Sequence, residues 1–116
     1  LRVVAYIPDL LFGSSVLSAL QSAGHEAVLV GDPGSLGREL VGADVLVVDL
    51  TADVPTRLEA VADQLGGGPR TLAFYSHVEH DVRTRALEAG FDQVVPRSRM
   101  AREGAGLVKR LSAGAS

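Results

Sequence analysis

The chain has no cysteine, no tryptophan, one methionine and few aromatic residues. Without cysteine there can be no disulfide, no thiolate nucleophile and no Cys-ligated zinc or iron–sulfur centre. No apolar run approaches the roughly 20 residues that span a bilayer, and no basic segment followed by a hydrophobic stretch opens the sequence. A cytoplasmic protein without membrane contact is expected. The chain opens on Leu1 rather than Met, as expected of a processed protein, an excised domain or one whose first residues are missing.

Positive charge is also scarce. The net charge of −3 argues against a generic nucleic-acid binder, so no nucleic-acid partner is expected. The charge is unevenly spread: residues 1–69 hold three Arg against nine acids, and residues 70–116 hold eight Lys and Arg against five. That bias hints at a basic carboxyl-terminal surface, with an ordinary solvated helix face as the alternative.

What is present is a hydrophobic content of 47% carried mainly by Val, Leu and Ala. This suits strands covered on both faces by helices. At 116 residues, one domain over 1–116 buries a sizeable core without staples.

Arg2 to Ile7 is a nearly continuous apolar run stopped by Pro8 and reads as a buried strand. Asp9 then caps a helix over about 10–23, with Gly24 at its stop. Ala27–Val30 is the second strand, followed by the Gly31-Asp32-Pro33-Gly34 turn cluster and a weak helix around 35–41. Gly31 to Gly37 lacks both the Walker lysine and the dinucleotide spacing, so it reads as a loop. Val45-Leu46-Val47-Val48-Asp49-Leu50 is the third strand. Val54, Leu58, Val61, Ala62 and Leu65 form one stripe of a helix over 54–65. Thr71–Tyr75 is the fourth strand, and Ser76-His77-Val78-Glu79 is a capping-box pattern opening a helix that ends at Gly90. Asp92–Val95 is a short fifth strand, and Met100, Leu107, Val108 and Leu111 mark a last helix.

Strict alternation of strand and helix requires parallel pairing through right-handed crossovers. The expected solution is a five-stranded doubly wound α/β sheet in order 2-1-3-4-5, a three-layer sandwich. Its switch point lies between strands one and three, where such sheets place ligand and reaction sites. Asp9 and Asp49 fall there, beside Ser76 and His77 after strand four and Arg97 and Ser98 after strand five.

With these residues in place, the chain resembles the receiver domain of two-component response regulators over nearly its whole length. Asp49 matches the family's phosphoacceptor, Ser76 its strand-four hydroxyl, and Ala86-Leu87-Glu88-Ala89-Gly90-Phe91-Asp92 its Ala-x-x-Ala-Gly-Ala-Asp stretch. The resemblance implies a flavodoxin-like fold, a bacterial signalling role and, in a working receiver, Mg²⁺ at an acidic pair after strand one. Here that pair falls on Ile7 and Pro8, with Asp9 one place late. The family's Lys-Pro becomes Pro96-Arg97, and its strand-five aromatic falls on Gln93 or Val94. The chain is therefore identified as a degenerate, pseudo-receiver type.

Asp49 reads as the candidate phosphoacceptor, or as a carboxylate accepting backbone N–H bonds at the entrance to the third helix. Asp9 reads as an N-cap, or with Asp49 as a weak metal pair. Ser76, Arg97 and Ser98 are candidate ligand- or phosphate-binding residues; in the alternative, Ser76 belongs to the capping box and Ser98 is an N-cap between two solvated arginines. His77 and His80 at i,i+3 spacing are a weak zinc signal. Ser76, His77 and Asp49 lack the Gly-x-Ser-x-Gly elbow of a nucleophilic triad.

The first reading is a stand-alone signalling or protein-interaction module rather than an enzyme, without standard Mg²⁺-dependent phosphorylation and requiring no cofactor. Its expected contact surface is helix four, strand five and helix five, bearing Arg83, Arg85, Arg99 and Arg102, facing a protein partner or a second copy. Two readings compete with it. One is a working phosphoacceptor in which Asp9 and Arg97 replace the usual metal and lysine groups. The other is a small-ligand or hydrolytic domain using the Asp9, Asp49, His77 and Arg97 rim; the Asp-x-His-x-x-Gly motif of cobalamin domains is absent, with Leu11 at the histidine position.

Overall fold

Five strands and five helices alternate along the chain in the computed structural model, which describes residues 1–76 and 80–113, His80 by its backbone alone. In order they are β1 (Arg2–Tyr6), α1 (Leu10–Ser22), β2 (Glu26–Val30), α2 (Pro33–Glu39), β3 (Val45–Asp49), α3 (Val54–Val61), β4 (Arg70–Tyr75), α4 (His80–Ala89), β5 (Gln93–Pro96) and α5 (Arg97–Ala113). The strands form one sheet in order β2-β1-β3-β4-β5 with every neighbouring pair parallel, as expected.

Every residue of β3 is buried, which explains why its sequence is apolar without alternation. Successive residues feed two cores. Val4, Tyr6, Leu46 and Val48 pack with Leu36, Val54, Val61, Val82 and Ala86 from α2, α3 and α4. Val3, Ala5, Ile7, Val45, Val47 and Phe74 pack on the other face with Val16 and Leu20 of α1 and Met100, Leu107 and Val108 of α5. Each fully buried Val, Leu or Phe contributes about 1.5–3 kcal/mol of apolar burial, so the two cores hold the strand ends in register. That register sets Asp49 beside Phe74, Tyr6 beside Val48 and Tyr75 beside Pro96.

Local chemistry sets most boundaries. Asp9 caps α1, and α1 gives way to Gly24 at φ +90°, a backbone angle that favours glycine. α2 begins earlier than the expected 35, because Asp32 accepts the Ser35 N–H at 3.0 Å and Pro33 fits the first turn. α3 ends at Val61 instead of 65: residues 62–64 tighten into a 3₁₀ turn, and Leu65 is extended yet still packs on the core.

β5 starts at Gln93 rather than Asp92, whose carboxylate accepts the Thr71 N–H at 2.8 Å while its own N–H donates to Thr71 Oγ1 at 3.0 Å. Asp92 thus braces the start of β4 instead of extending β5. α5 starts at Arg97, which places Ser98 inside the first turn rather than at the N-cap. The capping-box expectation over Ser76–Glu79 falls on residues 77–79, outside the described residues.

Candidate functional site

The chain leaves β1 toward α1 on one face and β3 toward α3 on the other, and this divergence opens the carboxyl edge of the sheet between them. Asp49, the last residue of β3, lies there and is only 2% exposed. A carboxylate this buried must be hydrogen-bonded and paired with a cation. Thr51 meets the first need: its N–H donates to Asp49 Oδ1 at 2.8 Å and its hydroxyl donates to the same oxygen. The reading of Asp49 as an acceptor of backbone N–H at the entrance to α3 describes this geometry.

Arg57 supplies the cation. Its Nη1 lies 3.3 Å from Asp49 Oδ2 and also donates to the Asp49 main-chain carbonyl at 3.1 Å. Its Nη2 lies 3.7 Å from Asp53 Oδ2. Both carboxylate oxygens of Asp49 are therefore engaged by groups of the chain itself. Arg57 is 9% exposed, one of three polar or charged residues buried among the described residues.

Sequence reasoning missed Arg57, to which it assigned no role; only the apolar stripe of the same helix was singled out. A signal existed: Asp53 and Arg57 stand four apart, the spacing at which a helix brings opposite charges together. That spacing does not announce that the guanidinium folds back onto the strand. Asp53 itself has left-handed backbone, φ 49° and ψ 42°, and makes no side-chain cap. Tyr6, at the end of β1, borders the same cluster. Burial raises its hydroxyl pKa above the usual 10; Arg57 opposes that shift, and Asp32 and Asp53 add to it.

The other predicted residues gather on the α1–α5 side. Asp9 Oδ1 accepts the N–H groups of Leu11 and Phe12 at 3.0 and 3.2 Å, and its Oδ2 lies 3.9 Å from Arg97 Nη2. The Arg97 guanidinium carbon lies 4.1 Å from the centre of the Phe12 ring, and that ring is tilted against Phe74 at 5.1 Å. Among the described residues, Phe12, Ser76, Arg97, Ser98 and Ala101 line a cavity of about 290 Å³. Ser76, Arg97 and Ser98 thus line one cavity.

No hydrogen bond or ion pair among the described residues joins Asp49 to Asp9, Ser76, Arg97 or Ser98. Nor do three His, Asp or Glu side chains there come together as a metal cluster. His77 lies outside the described residues, as does the side chain of His80. The two arginines around Ser98 stay 50% and 41% exposed while each is paired: Arg97 as above, and Arg99 with Glu103 at 3.4 Å. Glu103 also draws Arg110 to 3.5 Å and Arg102 to 3.9 Å.

By sequence, no protein-family model and no curated protein matches the chain. By structure it superposes on a response regulator from Thermotoga maritima with a TM-score of 0.82 and 14% identity, over 97% of each chain. The chain has the receiver fold. An atypical orphan response regulator, described as having a phosphorylation-independent regulatory mechanism, matches with a TM-score of 0.77 and 12% identity over 97% of this chain and 96% of that one. A putative pilus assembly protein from Burkholderia thailandensis matches at 0.78 and 17%, over 97% and 98%. Within the receiver fold, the end of β3 is held by Thr51 and Arg57, and the start of α5 by Phe12 and Asp9.

Proposed function

We propose that the chain is a receiver-like signalling or protein-interaction module that works without Mg²⁺-dependent phosphorylation of Asp49. The observation that carries this reading is the Arg57 guanidinium seated on Asp49 Oδ2. An attacking carboxylate needs a free oxygen and a metal beside it to neutralise the incoming phosphoryl group. Here Oδ1 serves Thr51, Oδ2 faces Arg57, and Ile7 and Pro8 stand where metal carboxylates are found in receivers. In this reading the module is bacterial and cytoplasmic and needs no cofactor.

Its output passes through contact with a protein partner or a second copy at α4, β5 and α5. Arg83, Arg85 and Leu87 are exposed on α4, while Glu103 moderates the charge of Arg99 and Arg102 on α5. Acetyl phosphate with Mg²⁺, followed by intact mass, tests the phosphorylation half of the reading. Unmodified protein is expected, and an Asp49-dependent phosphoryl adduct would favour the working-phosphoacceptor alternative. Light scattering tests self-association, against which a strictly monomeric profile at high concentration would count.

The cavity between α1 and α5 favours a second reading, a small-anion site built from Ser76, Arg97 and Ser98. Two hydroxyls and a guanidinium at the start of a long helix suit a phosphate or carboxylate. Titration with inorganic phosphate, followed by amide NMR, should then shift Ser76 and Ser98 in the wild type and not in Arg97→Gln.

A further inference from the structure

Among the described residues, the oxygens paired with Arg57 are hard donors. Asp49 contributes its Oδ2 at 3.3 Å and its main-chain carbonyl at 3.1 Å, and Asp53 contributes Oδ2 at 3.7 Å. The left-handed backbone at Asp53 is uncommon outside glycine, although aspartate adopts it more readily than most residues. Carboxylates together with a main-chain carbonyl are the donor set that divalent hard cations take. What lies against them is a guanidinium with one positive charge, carried on α3, its Nη1 at the Asp49 oxygens and its Nη2 at Asp53.

Removing this occupant is costly, because Asp49 is 2% exposed and an ionised carboxylate so buried is left without a counter-charge. Asp53, by contrast, has a side chain 75% exposed. The cluster therefore opens to water on one side, where an ion could keep part of its hydration shell.

We propose that Arg57 is a built-in counter-cation that keeps this site closed to divalent metal. Replacing the guanidinium with a neutral side chain turns the Asp49 and Asp53 oxygens into a divalent-cation site that the native chain does not offer. The proposal rests on the reading of Asp49 as a carboxylate closed by its own chain, and it adds the device that closes it.

The test compares wild type, Arg57→Met, which keeps an apolar stem, Arg57→Lys, and Arg57→Met combined with Asp49→Asn. Mn²⁺ is titrated and followed by paramagnetic broadening of the Thr51 and Asp53 amides, with circular dichroism reporting folding. Arg57→Met should bind Mn²⁺ about tenfold or more tighter than wild type, a difference of about 1.4 kcal/mol. Arg57→Lys, which retains the charge, and the double variant should not gain that affinity.

If Arg57→Met is unfolded alone but folds when Mn²⁺ is added, the proposal is likewise supported. It is overturned if Arg57→Met folds without gaining Mn²⁺ affinity, if it stays unfolded with Mn²⁺ present, or if Arg57→Lys gains the same affinity. The reading beneath it fails separately, through an Asp49-dependent phosphoryl adduct on the wild-type chain.

Discussion

Arg97 holds its guanidinium carbon 4.1 Å above the Phe12 ring, with Asp9 3.9 Å from its Nη2, so α1 and α5 are tied at the carboxyl edge by one side chain. The cation nearest in sequence to the family's Lys position is thus engaged with α1. Asp49 takes its positive charge from α3 instead. Two contacts with different surroundings result, one half exposed and one buried, and they predict different sensitivities.

Arg57→Ala should be the more damaging substitution. Removing one partner of a buried pair strands the other, at a cost of about 3 kcal/mol or more. Urea unfolding of Arg57→Ala, Asp49→Ala and the double variant gives the coupling directly. Strictly additive losses would show that the pair is not energetically linked.

Asp9→Ala removes a helix cap and should cost about 1 kcal/mol, while Asp9→Asn, which keeps the accepting oxygen, should cost far less. The ion pair with Arg97, half exposed on both sides, adds little. If Asn proves as damaging as Ala in thermal melts, charge rather than capping is what Asp9 supplies.

Gly13 and Gly37 should respond to alanine with opposite signs. A Cβ at Gly13 would lie 2.9 Å from Leu29 Cδ1 and 3.3 Å from the Ile7 carbonyl, where α1 crosses the sheet; at Gly37 it would meet nothing within 4 Å. Gly13→Ala is expected to destabilise by about 1–3 kcal/mol through overpacking. Gly37→Ala, inside α2, is expected to stabilise by about 0.5–1 kcal/mol. Chemical denaturation of both checks the pair.

Tyr6 predicts a loss of stability in alkali. Burial raises its folded pKa above the usual 10, so between pH 10 and that raised value the unfolded chain has lost the proton and the folded chain keeps it. Its contribution is full below pH 10 and is lost as pH rises through the folded pKa. Tyr6→Phe should flatten that part of the stability profile, and an unchanged alkaline slope would contradict the assignment.

The fold was legible because its signals are local and agree with one another. Val45 to Val48 is too apolar for an edge strand, Gly24 and Gly90 stand where helices stop, and five alternating units admit few topologies. Asp49 was legible for the same reason, as a carboxylate ending the most hydrophobic strand. A backbone N–H on its carboxylate was legible too, but its counter-charge was not. Arg57 looks solvent-facing until the helix is placed against β3, and the long side chain then buries its head against the strand end. Thr51, two residues beyond Asp49, is an ordinary turn residue until its N–H and hydroxyl are both found on one oxygen. Contacts made by long polar side chains across elements leave no period in the sequence.

The central claim is that Asp49 is closed to phosphoryl chemistry by the chain's own groups, and beryllofluoride with Mg²⁺ tests it most directly. The account predicts wild-type amide spectra in which Thr51, Asp53 and Ser76 are unmoved, indistinguishable from those of Asp49→Asn under the same treatment. Shifts at those amides in the wild type that vanish in Asp49→Asn would contradict it.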